Sequence, residues 1–187
     1  MGVLIASSNK IPKPLLTFIG KGILFFVIWK FSYLFFLKPN HWLDGWLTLS
    51  LGASVNWVIT QLSPQLKSSI QLVNNDIIIS TLRNGSRSTV LMIADACNAL
   101  ELMVLYLGFI LASSLPFRKQ IHYLYSGIFF IFIINVLRCL LLIYVALFLP
   151  FAFVFAHHYL FTSIVYLLIF LMWRKYIKTW IRYENSK

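Results

Sequence analysis

Long apolar runs separated by short polar or basic stretches dominate this chain. The first run covers residues 14–37, and two later runs, residues 99–115 and 122–149, are each followed directly by a proline. The last run begins between residues 152 and 158 and reaches residue 173. Because an apolar helix of about 20 residues is needed to cross a bilayer core of about 30 Å, these four runs predict four full transmembrane helices.

A fifth stretch, residues 43–62, is only moderately apolar. Four polar residues are spread through it: Asp44, Thr48, Asn56 and Gln61. The stretch is interpreted either as a weak span or as a segment lying at the membrane interface.

The chain then turns polar, and a β-hairpin is predicted within residues 63–96. Two short β-rich stretches, residues 76–81 and 88–93, flank Asn84-Gly85, a dipeptide typical of tight hairpin turns. Since two strands alone are only marginally stable in water, the hairpin is expected to lie against the membrane helices.

The composition agrees with a single integral membrane domain covering residues 1–187. Hydrophobic residues make up 60% of the chain and charged residues 11%, with a mean hydropathy of +0.82, whereas soluble domains carry about 25% charged residues. So few charges could not cover the surface of a soluble fold, so apolar surface is expected to face the lipid bilayer. The predicted fold class is an all-α polytopic membrane protein with one small hairpin.

The net charge of +11 first suggests an anionic partner. The basic residues, however, cluster beside the apolar runs: Lys10, Lys13, Arg118, Lys119, Arg174, Lys175, Lys178 and Arg182. This is the bias of cytoplasmic loops in membrane proteins, and no separate basic face for nucleic acid is present. Both chain ends and the loop at residues 117–119 are therefore predicted to be cytoplasmic. An even number of crossings follows, and residues 43–62 most simply do not cross.

Arg138 is the most unusual residue inside a predicted span. An arginine at the centre of a membrane helix costs at least ~2.5–3.5 kcal/mol, so it should face the protein interior and have a partner. Asn135 lies three residues earlier on the same helix face. The alternative is a structural arginine whose side chain extends to the interface, but Arg138 lies far from the end of its run, which favours a functional site.

Cys97 is predicted to lie where the hairpin leads into a membrane helix. Backbone N–H groups at a helix N-terminus can stabilise a thiolate or hold an oxyanion. Glu101, one turn later on the same predicted face, is expected to pair with Arg138, and Asp95 is expected to cap the helix. Cys139 lies among leucines and is expected to be an ordinary packing residue pointing away from the Arg138 face. With only two cysteines and no paired Cys or His ligands, neither a metal nor another cofactor is expected.

His157 and His158 open the last predicted span. Histidines near an interface are often structural, but the predicted topology places this pair, Cys97 and the hairpin at the same outer face. A thiol, an imidazole and a guanidinium together suggest a cysteine acyl-transfer site.

Three short motifs in this order resemble the exosortase/archaeosortase family, and in particular its short bacterial members. They are Cys97-Asn98-Ala99-Leu100-Glu101 before one span, Asn135-Val136-Leu137-Arg138 within the next, and His157-His158-Tyr159-Leu160-Phe161 at the start of the last. The resemblance covers about the last two-thirds of the chain. Ala99 stands where the family usually has glycine, a residue suited to positive φ or to close substrate approach.

The resemblance implies a membrane cysteine peptidase or transpeptidase that forms a thioester. Cys97 would be the nucleophile, Arg138 would stabilise the thiolate or oxyanion, and one of the two histidines would be the general acid/base. The spacing His158-x-x-Phe161 slightly favours His158, and Asn98, Asn135 and Glu101 would support the site. The implied substrates are exported proteins with a C-terminal motif, a transmembrane helix and a basic tail. The active site would lie on the extracytoplasmic side of the inner (plasma) membrane.

Two other functions remain open from the residues alone. A catalytically inactive relative could act as a scaffold or assembly component in the export of surface proteins or polysaccharides. A small transporter or channel subunit would use Arg138 in an ion pathway, but the repeated, broken helices typical of transporters are absent from the sequence.

Overall fold

The computed structural model describes residues 13–63, 68–73, 76–83, 86–93, 97–113 and 115–186 and is mostly helical. Lys10, Asp95 and the predicted turn Asn84-Gly85 lie outside these residues. The elements, in chain order, are α1 (Lys13–Ser32), a π-helical turn (Tyr33–Leu37), α2 (Trp42–Leu62), β1 (Ser68–Val73), β2 (Asp76–Arg83), β3 (Ser86–Ile93), α3 (Leu100–Ala112), α4 (Phe117–Phe148), a 3₁₀ turn (Pro150–Ala152), the single turn α5 (Phe153–Phe155), a second π-helical turn (Ala156–Leu160) and α6 (Phe161–Glu184).

Three helical segments of the described chain are long and apolar enough to cross a membrane: Leu16–Leu37, Phe117–Phe148 and Pro150–Tyr183. The surfaces of these helices carry many exposed aromatic and aliphatic side chains. Such side chains are unfavourable in water but are well accommodated in the hydrocarbon core of a bilayer. The protein is therefore a membrane protein associated with a lipid bilayer. The predicted fourth span corresponds to α3, which has only 13 residues and a length of about 20 Å.

Glycine allows close packing where α3 meets its neighbours. A Cβ on Gly108 would lie 2.6 Å from the ring of Phe25 in α1, and a Cβ on Gly127 in α4 would overlap the buried ring of Tyr106. The hydroxyl of Tyr106 donates a 3.1 Å hydrogen bond to the carbonyl oxygen of Tyr123. An aromatic ring of α1 thus fills the space that Gly108 leaves on α3, and an aromatic ring of α3 fills the space that Gly127 leaves on α4.

Polar side chains join the basic ends of α4 and α6. Gln120 donates a 3.0 Å hydrogen bond to the carbonyl oxygen of Ser113, whose hydroxyl is hydrogen-bonded to that of Tyr176. The hydroxyls of Tyr123 and Thr179 are 2.9 Å apart. These contacts place the start of α4 beside the end of α6, so the two helices are antiparallel and their basic ends lie on the same side.

The three strands form an antiparallel sheet in the order β1-β2-β3. The predicted hairpin strands are confirmed as β2 and β3, while β1 was missing from the prediction. The pairing register shifts between Ile79 and Ser80, so that Val90 of β3 lies opposite no residue of β2. This irregularity is a β-bulge immediately before the residues that lead to Cys97.

One face of the sheet packs on α2 and on the second half of α4. The shared core contains Ile77, Ile79, Leu91 and Ile93 of the sheet, Leu51, Val55 and Ile59 of α2, and Val136, Cys139, Leu142 and Ile143 of α4. Gly52 lets α2 approach the sheet, since a Cβ there would lie 2.6 Å from Ile77. The second core is formed by α1, α3, α4 and α6, extends from the basic end to the start of α3, and includes Leu47 of α2. Residues 43–62 therefore pack mainly beside the second half of α4 and the sheet, while Leu47 joins the core around α3.

Candidate active site around Cys97

A left-handed residue separates Cys97 from α3. Ala99 has φ 66° and ψ 14° and occupies the N-cap position of α3, which begins at Leu100. Cys97 therefore lies before the helix and not within its first turn. Glycine adopts this backbone conformation more easily than alanine does, which gives a physical reason for glycine at this position in the family that the motif resembles.

Asn98 anchors the loop that carries Cys97 to α2. Its side-chain nitrogen lies 3.1 Å from Oδ1 of Asp44 and 3.3 Å from Oγ1 of Thr48. Its side-chain oxygen accepts a 2.9 Å hydrogen bond from the backbone N–H of Leu100, one of the otherwise unpaired N–H groups at the start of α3. Asn98, Asp44 and Thr48 are all buried. The network was not predicted, because Asp44 and Asn98 are 54 residues apart.

Asn135 holds the same loop from the side of α4. Its side-chain nitrogen donates a 2.8 Å hydrogen bond to the carbonyl oxygen of Cys97, and the residue is 1% exposed. Its side-chain oxygen has no hydrogen-bond partner among the described residues. Asn135 thus supports the cysteine directly, as well as lying one turn before Arg138.

His157 is the histidine that meets Cys97. The Sγ atom of Cys97 lies 4.0 Å from Nε2 of His157, the outer limit of a hydrogen bond to sulfur. The imidazole stacks on the ring of Phe153 with centroids 5.9 Å apart, and the carbonyl oxygen of His157 accepts a bond from Thr162. His158 is exposed and touches the His157 ring edge-on. This geometry favours His157, whereas the spacing His158-x-x-Phe161 in the sequence slightly favoured His158.

Arg138 lines the same small crevice as Cys97 and His157. The other residues of the crevice are Leu91, Met92, Ile93, Cys139 and Leu142. Within the part of the chain that the structure describes, the buried Nε atom of Arg138 has no hydrogen-bond partner and the guanidinium makes no ion pair. A cation, an imidazole and a thiol from three different segments therefore border one crevice.

Three expectations about neighbouring residues need correction. Glu101 is exposed and makes no ion pair with Arg138 within the described chain, because the left-handed turn at Ala99 removes Cys97 and Glu101 from a common helix face. The N-cap of α3 is Ala99, not Asp95. Cys139 does not point away from Arg138, since it is buried in the same crevice.

A wide apolar groove lies elsewhere, between α1, α3 and α6. It measures about 370 Å³ and is bordered by apolar residues that include Phe18, Phe25, Leu105, Phe109 and Trp173. No residue on its border can titrate or act as a nucleophile, so the groove offers no chemistry. The described residues also contain no group of three or more His, Cys, Asp or Glu side chains that could hold a metal ion.

The crevice at Cys97 therefore brings together a nucleophile, a base and a cation whose Nε is buried. Comparisons of the chain with models of protein families, with curated proteins and with solved structures found no match.

Proposed function

We propose that the protein is a membrane-embedded cysteine peptidase or transpeptidase of the exosortase/archaeosortase type. The observation that carries this function is the 4.0 Å separation of Cys97 Sγ and His157 Nε2 in a crevice that Arg138 also borders. Catalytic hydrogen bonds are often longer without substrate than in the reacting complex, so this distance is compatible with proton transfer.

The reaction begins when His157 takes the thiol proton of Cys97. The sulfur attacks the carbonyl carbon of the scissile amide, which forms a C–S bond and places negative charge on the carbonyl oxygen. The C–N bond then breaks, the leaving nitrogen takes the proton from His157, and a thioester remains on Cys97. Water, or an acceptor amine or hydroxyl, attacks the thioester and passes its proton through His157 to the departing sulfur.

Arg138 is proposed to stabilise the negative charge of the thiolate and of the oxyanion. A fixed cation in a site with little water is worth more than the same cation in bulk solvent. The buried Nε of the guanidinium has no partner among the described residues, so a donor is available for a substrate oxygen. Asn135 and Asn98 serve as positioning residues, because they hold the Cys97 loop to α4 and α2.

The depth of the site supports an active site at the extracytoplasmic face of the inner (plasma) membrane. Arg138 lies roughly 21 residues after Phe117, about 31 Å along α4, which equals the thickness of a bilayer core. The basic start of α4 and the basic end of α6 share one side, which the positive-inside bias assigns to the cytoplasm. The crevice, α2 and the sheet would then lie at the opposite face.

Four crossings are proposed on the same grounds. The end of α3 is joined to the start of α4 through Ser113 and Gln120, and the loop before α3 is joined to Asn135. Phe117 and Asn135 are roughly 18 residues or about 27 Å apart, so α3 with its flanking residues covers nearly the whole core despite its short helix. α2 does not cross in this arrangement, and both ends of the chain face the cytoplasm.

The proposed substrates are exported proteins that end in a short motif, a transmembrane helix and a basic tail. A crevice at the membrane surface suits them, because the scissile bond just outside a substrate helix would reach Cys97 by lateral diffusion. The C-terminal helix and tail would leave with the new amino group, and the exported part would stay on the sulfur until it is transferred.

The test is co-expression with exported proteins of the same genome that carry such C-terminal signals. The wild-type chain should shorten its substrate and carry a hydroxylamine-labile acyl group, and Cys97→Ala should do neither. Processing at the wild-type rate by Cys97→Ala would overturn the peptidase. If no candidate is cut, and Cys97 alkylation by iodoacetamide does not depend on His157 or Arg138, the chain is a scaffold and the proposed function is wrong.

A further inference from the structure

β3 is an edge strand, and its free edge leads to the cysteine. The sheet order β1-β2-β3 leaves β3 paired on one side only. Among the described residues, no backbone hydrogen bond joins the other side of β3 to any part of the chain. Cys97 follows Ile93, the last residue of β3, by four positions. Unpaired N–H and C=O groups of such an edge can pair with another extended chain.

The crevice at Cys97 is bordered by the last three residues of β3. Leu91, Met92 and Ile93 all border it, although they are consecutive residues of one strand. Leu91 and Ile93 are buried in the core beneath the sheet, whereas Met92 is 55% exposed on the opposite face. Successive side chains of a strand point to opposite faces. The crevice thus contacts the buried Leu91 and Ile93 as well as the exposed Met92 between them, where β3 meets Arg138, Cys139 and Leu142 of α4.

The β-bulge fixes where this edge begins. Val90 is left out of the register with β2, and regular pairing resumes at Leu91 and continues to Ile93. A bulge bends its strand and redirects the residues that follow. The last three residues of β3 are thus a short, regular segment that borders the nucleophile.

We propose that the edge of β3 at Leu91–Ile93 binds the extended segment that precedes the substrate's membrane helix, as an added fourth strand. Main-chain hydrogen bonds to β3 supply binding that does not depend on the substrate's side chains, and they orient the scissile amide toward Cys97. An extended polypeptide is the chemistry that fits, because only a peptide backbone presents alternating N–H and C=O groups at the spacing of the strand. The pairing depends on the proposed function, since Cys97 is the nucleophile that the added strand would reach.

The test uses an electrophilic peptide, acetyl-(Ala)₄ chloromethyl ketone, on the purified full chain in lipid nanodiscs. The Cys97 sulfur displaces chloride from the reagent's methylene carbon, its proton is released to His157 or water, and mass spectrometry assigns the adduct to Cys97 or Cys139. Four reagents, each with one backbone nitrogen methylated, are compared with the parent peptide. An alkyl chloromethyl ketone of the same length serves as the control without amides.

Pairing with β3 predicts an alternating pattern. N-methylation at every second position should slow Cys97 alkylation at least about five-fold, which corresponds to the loss of one hydrogen bond. N-methylation at the intervening positions should leave the rate unchanged. The alkyl reagent should react as slowly as the poorest peptide. Equal rates for all four methylated peptides would overturn the added strand.

Iodoacetamide separates this failure from that of the proposed function. If Cys97 reacts with iodoacetamide in a His157-dependent manner but the peptides show no alternation, only the strand pairing is wrong. If Cys97 reacts with iodoacetamide no faster than Cys139 does, the activated thiol itself is absent, and both the peptidase and the pairing are wrong.

Discussion

The side-chain amide of Asn135 donates a 2.8 Å hydrogen bond to the main-chain carbonyl oxygen of Cys97. This bond ties the loop before α3 to α4, one helical turn before Arg138. The position of the sulfur relative to the guanidinium is therefore set by α4, while Asn98 ties the other side of the same loop to α2. The hydrogen bonds of two buried asparagines thus fix the conformation of the loop that carries Cys97, which lies outside the helix.

Asp44 is predicted to stabilise the fold through Asn98. Replacing Asp44 by alanine removes the carboxylate oxygen that accepts the 3.1 Å bond, at a buried position. The free energy of unfolding in mixed micelles should fall by about 1–3 kcal/mol. The rate of Cys97 alkylation should change as well, because Asn98 holds the loop that carries Cys97. Glu101→Ala is the matched control, because this acid is exposed, and it should stay within about 0.5 kcal/mol. Equal losses in the two variants would show that the buried bond adds nothing.

The two histidines are predicted to differ strongly. His157→Ala should slow Cys97 alkylation by iodoacetamide about 100-fold, the low end of the range for a lost general base, because its Nε2 lies beside the sulfur. His158→Ala should change the rate by less than about three-fold, a shift of roughly 0.6 kcal/mol, since that side chain is exposed. His122→Ala, an exposed histidine near the other end of α4, is the control. A larger effect at His158 than at His157 would reverse the assignment.

The sequence predicts the helices and the hairpin well because each depends on a local pattern. Runs of apolar residues indicate membrane helices, and two β-rich stretches around Asn84-Gly85 indicate β2 and β3. β1 was missed because its six residues, Ser68–Val73, have a weak alternation of serine, glutamine and apolar positions. Two consecutive asparagines follow β1 in the sequence, a pattern that is typical of turns and was overlooked.

The site is less predictable because its contacts are not local. Cys97, Arg138 and His157 were all named from the sequence, and the structure brings them to one crevice. The Asp44–Asn98 hydrogen bond joins one residue before the sheet in the sequence to one residue after it. A local sequence pattern cannot predict a contact over 54 residues. The expected pairing of Glu101 with Arg138 assumed that Cys97 and Glu101 lie on one helix, and the backbone of Ala99 breaks that helix.

Ala99 is predicted to be strained, and glycine should relieve the strain. A left-handed φ of 66° disfavours any residue with a Cβ, by about 1–2 kcal/mol. Ala99→Gly should leave the free energy of unfolding unchanged or raise it by up to about 1 kcal/mol, and it should retain Cys97 reactivity. Ala99→Val should lower the free energy of unfolding by more than about 1 kcal/mol, because a β-branched residue is a genuine outlier at this φ.

Ala53 provides the control of opposite sign. It is exposed within α2, where glycine costs about 1 kcal/mol relative to alanine. Chemical unfolding of the four proteins should therefore rank Ala99→Gly at or above wild type, followed by Ala53→Gly and Ala99→Val. If Ala99→Gly destabilises the protein as much as Ala53→Gly does, the left-handed turn is not present in solution.

Arg138 decides between a catalytic and a structural arginine. Its buried Nε has no partner among the described residues, so replacing the side chain by leucine removes a desolvated group without breaking a hydrogen bond. Arg138→Leu should therefore keep or raise the free energy of unfolding, and yet slow substrate processing by at least about 100-fold, as the loss of an oxyanion donor does. Arg138→Lys keeps the charge but loses the planar fork of donors, so it should recover part of the rate. A structural arginine would give the reverse result: Arg138→Leu would unfold more easily and, where it folds, process substrate at the wild-type rate.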